Sequence, residues 1–467
     1  MNRIQAEAEQ NKDILMAEHI AHMVREQGGT VYYVGGFVRD RLLGLENKDI
    51  DLEVHGIAPE RLEAILASLG EVKDYGESFG IFGLSHYHLD IAMPRSEKAT
   101  GTGHRAFLCT VDPFIGVEKA AIRRDFSINA MMQDVLTGEI VDPFRGQEDL
   151  RAGVIRHMDD RRFAEDPLRV LRGAQFAARF GFRIAEETLA LCSRMDLTTL
   201  APERIFGEME KALLKAEKPS VFFSALRRME QLEFWFPELR DLIDVPQPPS
   251  YHPEGDVWTH TMLVTDEAAR LREKAEYPLG LMLAALCHDL GKAETTRIEK
   301  DGRLHAFQHE QAGAVLAERF LARITNEKKL KRYVKNMVKL HMRPNQLAAQ
   351  HARKRSFNRL FDESVAPDDL LLLSQADALG SCVSPEEYSR TAELLQRRLS
   401  DFHAQMAEAY MTGQDLIDAG FQAGPDFSRA LAYAHRAQLA GVSREEVRSQ
   451  TIGYLTSLES ERKKQAE

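Results

Sequence analysis

At 467 residues the chain is too long for a single hydrophobic core, and roughly two to four domains are expected. Its 44% hydrophobic and 28% charged residues are the balance of a globular protein in water. No apolar run approaches the roughly 18 residues that span a bilayer, and the opening MNRIQAEAEQNKDILMAEHI lacks the apolar core of a signal peptide; this argues against a membrane partner and predicts a cytoplasmic protein. The net charge of −11 works against indiscriminate nucleic-acid binding but leaves room for a local basic groove, and four scattered cysteines (Cys109, Cys192, Cys287, Cys382) without a CxxC pair read as reduced thiols.

Residues 1–27 read as an amphipathic helix that ends near Gly28-Gly29. From Thr30 to about Asp142, β-rich runs (TVYYV, DIDLEV, HYHLDIAM) alternate with helical stretches such as PERLEAILASL, the pattern of an α/β domain. From about Pro143 to Val245 the apolar spacing is helical. The segment VPQPPSYHPEG, residues 245–255, is the clearest break, since its prolines fit neither a helix interior nor a central strand. Helical spacing resumes beyond it, interrupted by a turn-rich patch near 297–308.

The first chemical cluster is Gly35-Gly36 directly after a predicted strand. Paired glycines let the backbone approach a phosphate, and a following helix turns free N–H groups toward it. Asp49 and Asp51 come next in KDIDLEV; in an extended strand residues i and i+2 share a face. Two carboxylates side by side repel unless a cation lies between them, and Mg²⁺ takes such hard oxygen ligands together with substrate phosphates. Asp90, in HYHLDIAMPR, reads as a third carboxylate from a neighbouring strand or as a strand-end charge. Residues 93–110, rich in Gly, Thr and charge, read as a mobile loop. Arg123 and Arg124 supply guanidinium groups suited to triphosphate oxygens, and Asp125 and Asn129 are spaced to share a helix face. Asp166, Arg169 and Arg172 form an i, i+3, i+6 row; a carboxylate that accepts beside a guanidinium that donates can read the edge of a base, or can be a plain surface ion pair.

Taken in order, GGFVRD…KDIDLEV, RRDFSINAM, DPFRGQEDL and EDPLRVLRGAQFAARFGF resemble the signature motifs of class II tRNA nucleotidyltransferases, which share their head domain with bacterial poly(A) polymerases. The resemblance spans roughly residues 31–215 and includes APERIFGEMEKALL. It implies that Asp49 and Asp51 hold the catalytic Mg²⁺, and that Gly35, Gly36 and Arg39 meet the nucleotide phosphates. Arg124 and Asp125 would hold triphosphate and ribose. Asp166, Arg169 and Arg172 would select CTP and then ATP without a nucleic-acid template. It also implies that the 93–110 loop serves the switch from C to A addition.

Downstream, His260, His288-Asp289 and Asp377, with His309 and His341 between, resemble the HD phosphohydrolase domain. That resemblance implies a divalent-metal site of His260, His288, Asp289 and Asp377, with Ni²⁺, Mn²⁺ or Co²⁺ as candidates. The activity expected of it is a phosphatase, 2′-nucleotidase or 2′,3′-cyclic phosphodiesterase. Two basic stretches, 328–339 and 351–359, are either RNA contacts or solvated faces. MTGQDLIDAGFQAGPDFSRAL resembles a tail element of HD-bearing members.

The expected fold is an α/β nucleotidyltransferase head followed by mainly α-helical neck, body, HD and tail domains. The expected boundaries are a helical extension at 1–28, the head at 29–150, a neck and body with the base-reading segment at 151–245, the HD domain at 246–380 and the tail at 381–467. The expected partners are tRNA, CTP and ATP, with the oligomeric state open. Poly(A) synthesis and A-only addition are the nearest alternatives. A non-catalytic RNA-binding module, or an HD hydrolase guided by the head, lie further off.

Overall fold

The computed structural model describes residues 3–74, 81–99 and 107–466. The chain divides into two compact units, Met1–Met209 with Val221–Phe234, and Glu210–Ser220 with Trp235–Glu467.

The first unit opens with helix α1 (Arg3–Glu26), which turns Ala17, Ile20, Ala21 and Val24 inward. This i, i+3, i+4, i+7 spacing makes one apolar stripe. The stripe packs on strand β1 (Thr30–Val34) and helix α3 (Pro59–Leu69), so the N-terminal extension closes part of the head core. Between β1 and α3 come helix α2 (Gly36–Leu42) and strand β2 (Ile50–His55). Strands β3 (Val72–Asp74), β4 (Ile81–Leu84) and β5 (Leu89–Ala92) are next along the chain. After a separate antiparallel ribbon of β6 (Arg95–Ala99) and β7 (Phe107–Val111) come helix α4 (Val117–Ala121) and strands β8 (Met132–Asp134) and β9 (Ile140–Val141).

The main sheet has seven strands in the order β3-β4-β5-β2-β1-β8-β9. Its pairings are antiparallel except β2 with β5, which run parallel and set Asp51 directly opposite Asp90. Successive side chains of a strand alternate between its two faces. Ile50, Leu52 and Val54 of β2 and Leu89 and Ile91 of β5 bury in the core, so Asp51, Glu53 and Asp90 emerge on the other face. The segment read as a mobile loop supplies the two arms of the β6–β7 ribbon, while its residues 100–106 lie outside the described residues. Helices α5 (Gly146–Ala152), α6 (Asp160–Ala164) and α7 (Leu168–Phe180) complete the part of the unit that bears on the site.

The second unit is helical. Its centre is helix Pro278–Cys287, in which every residue from Leu279 to Cys287 is buried, as an all-apolar helix requires. Helices Val257–Leu271, Lys328–Leu340 and Pro367–Gly380 pack around it. The turn-rich patch forms a two-stranded hairpin, Thr296–Ile298 with Leu304–Ala306. The proline-rich break ends where Asp256 caps helix Val257–Leu271 by accepting from Thr259 N at 2.9 Å. The C-terminal helices close a small core of Met411, Leu416, Ala430, Ala434, Val447 and Leu455. No described helix is long and apolar enough to cross a membrane.

Two candidate active sites

In the head, β1 ends in a turn at Gly35 with φ 66° and ψ −131°, a conformation that only glycine enters freely. A Cβ there would lie 3.1 Å from Arg124 Nη1 and 3.4 Å from Asp51 Oδ2, so bare backbone, a guanidinium and a carboxylate converge on one point. Asp49 immediately precedes β2, with its N–H bonded to Asn47 Oδ1 at 3.0 Å, rather than standing inside the strand as its spacing suggested. It still reaches its partner electrostatically. Burial pushes the Asp51 carboxyl up to about 6; Arg124 offsets part of this, and the charges of Asp90 and Asp49 add to it. A carboxylate disfavoured as an anion, opposite Asp90 and under the charge of Asp49, calls for a compensating cation such as Mg²⁺. A cation must displace the Asp51 proton below about pH 6. Metal affinity of the head should therefore fall by about tenfold per pH unit below that value and stay flat above it. Manganese titrations followed by electron paramagnetic resonance, on a chain lacking His288 and Asp289, check this.

The strand alternation carries one further residue that the motifs do not single out. Glu53 accepts from Arg124 Nη2 at 3.1 Å and meets His55 Nε2 at 2.8 Å. Burial alone would raise its carboxyl, but the hydrogen bond with His55 and the Arg124 charge outweigh that and lower it. As an anion it holds Arg124 beside Asp51. The period-two series Asp49, Asp51, Glu53, His55 was the signal for it. A cleft of about 320 Å³ opens here, with Glu53, Arg95, Arg123, Arg124 and Arg169 in its lining.

Other expected nucleotide contacts point inward. Arg39 is 3% exposed; it donates to Asp40 Oδ1 at 2.7 Å and Asn129 Oδ1 at 2.5 Å, and it lies against the Phe176 and Phe180 rings. Asp125 Oδ1 accepts from Phe126 N and Asn129 Nδ2, both at 2.8 Å, and Oδ2 meets both Nε and Nη2 of Arg172 at 2.7 Å. The result is a buried chain, Asp40–Arg39–Asn129–Asp125–Arg172, running from the helix after the Gly-Gly turn to α7. The hydrogen bonds of these three expected contacts run largely to one another, Asp40 and Asn129, while Arg172 stays about one third exposed. Asp125 and Asn129 meet through a single 3₁₀ turn, Ser127–Asn129, instead of an α-helical face.

Asp166 is likewise outside the expected helix, because Pro167 caps α7. One oxygen of Asp166 accepts from Leu168 N at 3.0 Å and the other pairs with Arg204 at 3.0 Å, a partner the sequence spacing did not suggest. Arg169 donates to the carbonyls of Arg162 and Arg123 and lines the cleft.

The second unit brings together His260, His288, Asp289 and Asp377, and adds His309 and His341. His260 Nε2 lies 3.2 Å from both His288 Nε2 and Asp377 Oδ1. His288 Nε2 is 3.2 Å from Asp289 Oδ2. On the other side of the same carboxylate, Asp289 Oδ1 is 3.4 Å from His309 Nε2 and 3.8 Å from His341 Nε2. Asp289 therefore links two His-carboxylate triads. The sequence allows this close approach at Gly291, where a Cβ would collide with the His309 carbonyl oxygen.

The Nδ1 atoms explain the orientation. Carbonyls of Ala285, Ala306 and Val338 hold the rings of His288, His309 and His341 at 2.7, 2.8 and 2.7 Å. A carbonyl accepts only from N–H, so each Nε2 presents a lone pair to the centre. Nε2 of His309 and of His341 and both Asp289 oxygens are buried without a hydrogen-bond partner. Lys292 approaches Asp289 Oδ2 to 2.7 Å as an ion pair, while its directed hydrogen bond goes to Gln247 Oε1 at 2.8 Å. Burial drives His341 down to about 4, leaving it a neutral imidazole. Lone pairs converging on an orphaned carboxylate fit divalent metal.

His260 is oriented differently, by Glu254 Oε1 at 2.9 Å from its Nδ1, and the same oxygen meets His252 Nδ1 at 2.8 Å. Glu254→Gln should weaken metal binding by about 10–100-fold while the helices stay folded, read by metal titration and circular dichroism.

The basic stretch 328–339 forms an amphipathic helix. Its Lys335 pairs with Glu318, and Lys339 and neighbouring Arg343 pair with Glu363, so part of its charge is neutralised internally. The stretch 351–359 leads into helix Lys354–Glu363, which buries Phe357, Leu360 and Phe361.

Residues 31–156 match the family described as Poly A polymerase head domain, and residues 257–381 match the HD domain. Residues 181–243 match the family described as Probable RNA and SrmB- binding site of polymerase A. The Multifunctional CCA protein of Actinobacillus pleuropneumoniae is 39% identical over 362 residues, covering 75% of this chain and 85% of the relative. That of Mannheimia succiniciproducens is 44% identical over 290 residues, 60% of this chain and 67% of the relative. Among solved structures, the Thermotoga maritima CCA-adding enzyme complexed with tRNA superposes with a TM-score of 0.62 at 21% identity, over 94% of this chain and 95% of that one. At that identity the likeness speaks for the fold alone.

Proposed function

Since the chain belongs to the class II tRNA nucleotidyltransferases that carry an HD domain, the family of the multifunctional CCA proteins, we infer that it adds C and A nucleotides to the 3′ end of tRNA. CTP and ATP are the donors and pyrophosphate is released. The single observation that carries this for the head is the meeting of Asp51 and Arg124 at the Gly35 turn, with Asp90 opposite Asp51 on the neighbouring strand and the charges of Asp90 and Asp49 acting on Asp51.

Asp49 and Asp51 would hold Mg²⁺, which supplies activation of the RNA 3′ hydroxyl and neutralises the leaving pyrophosphate. Gly35 and Gly36 leave room for phosphate against the backbone. Arg124, fixed by Glu53, meets the triphosphate from the side, with Arg123 and Arg169 along the same cleft. Asp166 and Arg169 read the base edge, and Arg204 steadies Asp166. Arg39, Asp125 and Arg172 support that arrangement from behind. Asp166→Ala should relax discrimination against UTP and GTP by roughly 5- to 150-fold, the value of one lost hydrogen-bond partner. Competition assays with mixed nucleotides read it, and an unchanged preference would leave Asp166 a structural partner of Arg204 and nothing more.

His260, His288, Asp289 and Asp377, joined by His309 and His341, support a phosphohydrolase with Ni²⁺, Mn²⁺ or Co²⁺ as metal. The site would act on phosphorylated RNA or nucleotide ends. A cytoplasmic location and the five-segment division at 28, 150, 245 and 380 complete the proposal. The test is incubation of the full chain with tRNAs ending before CCA, after the first C and after CC, each with CTP, ATP or both, followed by end sequencing. Full CCA addition extends all three to the same end. An A-only enzyme extends only the last, and a poly(A) polymerase adds long A tracts to any of them.

A further inference from the structure

Two side chains near the HD cluster sit where the hydrophobic effect disfavours them. Tyr251 is 75% exposed and Phe307 is 73% exposed, more than any other large hydrophobic residue among those described as exposed. Both line one cleft of about 540 Å³, whose lining also includes His309 and Lys292 of the metal-type cluster. Neither is loosely presented. Tyr251 and the next residue, His252, donate their backbone N–H groups to the Pro248 carbonyl at 3.0 and 2.9 Å, within the proline-rich turn. Phe307 lies just past the hairpin and stacks on the His305 ring, with centroids 4.2 Å apart and 30° between planes.

We propose that Tyr251 and Phe307 form an aromatic platform on which the base of the HD site's substrate stacks, so that these two side chains set how tightly a nucleotide is held. Stacking on an aromatic face is tolerant of base identity, and the exposed glutamines in the cleft lining, Gln308 and Gln346, offer donors and acceptors to base or ribose. Lys292 and His309, in the same lining, belong to the metal-type cluster and suit a phosphate. A volume of this size matches a small-ligand site. The proposal rests on the phosphohydrolase reading of the cluster.

The test uses the full chain loaded with divalent metal, with Tyr251→Ala and Phe307→Ala beside the unaltered protein. Adenosine 2′,3′-cyclic phosphate is compared with glycerol 2-phosphate, a phosphoester without a base. KM for the cyclic nucleotide should rise by roughly 5- to 150-fold in each variant with kcat unchanged. Both constants for glycerol 2-phosphate should stay as they were, and metal content should not change. Photolabelling with 8-azidoadenosine, which needs no turnover, should mark the peptides holding Tyr251 or Phe307. An RNA ending in a 2′,3′-cyclic phosphate, run in parallel, tells whether the base belongs to a free nucleotide or to an RNA terminus. Unchanged KM, or equal loss on both phosphoesters that Tyr251→Phe and Phe307→Tyr do not restore, overturns the platform. If the unaltered chain cleaves neither phosphoester, the hydrolase reading fails, and the labelling alone decides whether a base binds there.

Discussion

Asp51→Ala should abolish nucleotide addition while leaving the fold as stable as before or more so. Desolvation of the half-buried carboxylate, with the charges of Asp90 and Asp49 adding to it, pushes its pKa up to about 6, above the ordinary aspartate value. A raised acid pKa means that, without a bound cation, the ionised form is disfavoured by folding near pH 7, and the penalty fades as pH falls through about 6. Removing the side chain removes that penalty. It also removes a ligand for an ion that contributes several kcal/mol of transition-state charge stabilisation, so incorporation should fall by roughly a thousandfold or more. Asp49→Ala should act in the same direction on activity. Single-turnover CTP incorporation and thermal melting without added metal read the two effects. Near-normal incorporation with Mg²⁺ present would remove the two carboxylates from the site, and a much lower melting temperature for the Asp51 variant would contradict the burial argument.

The second large effect belongs to the other unit. His288→Ala removes a ring whose Nε2 is 3.2 Å from His260 Nε2 and whose Nδ1 is fixed to the Ala285 carbonyl. Bound divalent metal should be lost and phosphoester hydrolysis should vanish, while CCA addition survives, since every head residue invoked lies in the other compact unit. Asp289→Ala tests the same point less cleanly. It leaves Lys292 without its ion-pair partner in a buried site, and an uncompensated charge costs about 3–5 kcal/mol. Asp289→Asn keeps the volume and is the better companion. Hydrolysis is assayed with Mg²⁺, Mn²⁺, Ni²⁺ and Co²⁺ in turn. Retained hydrolysis would refute the ligand assignment. Loss of CCA addition along with it would refute the independence of the two sites.

The parts of both sites that depend on local periodicity were legible in the sequence. Strand alternation put Asp51 on the polar face of β2, although its expected partner Asp49 falls just before the strand, and the order His260, His288-Asp289, Asp377 announced a cluster whose members meet within 3.2–3.7 Å. The rest stayed hidden because it depends on tertiary neighbours. Nothing local indicates that Arg39 turns inward to Asn129, ninety residues away, or that Asp166 pairs with Arg204. Pro167 was readable as a helix start, and reading it so would have excluded Asp166 from α7. Glu254 sits in a proline-rich segment that invites dismissal as a linker, yet its carboxylate orients His260. The hairpin at 296–306 was too short and polar to stand out from its turns, because two three-residue strands carry almost no alternation.

Above all, the head should build a defined three-nucleotide end on tRNA. Intact-mass spectrometry of a tRNA transcript lacking its last three nucleotides, after incubation with the full chain, Mg²⁺, CTP and ATP, tests this most directly. A single product longer by two C and one A, absent with the Asp49→Ala chain, is the predicted result. No extension, or a ladder of A additions without C, would contradict it.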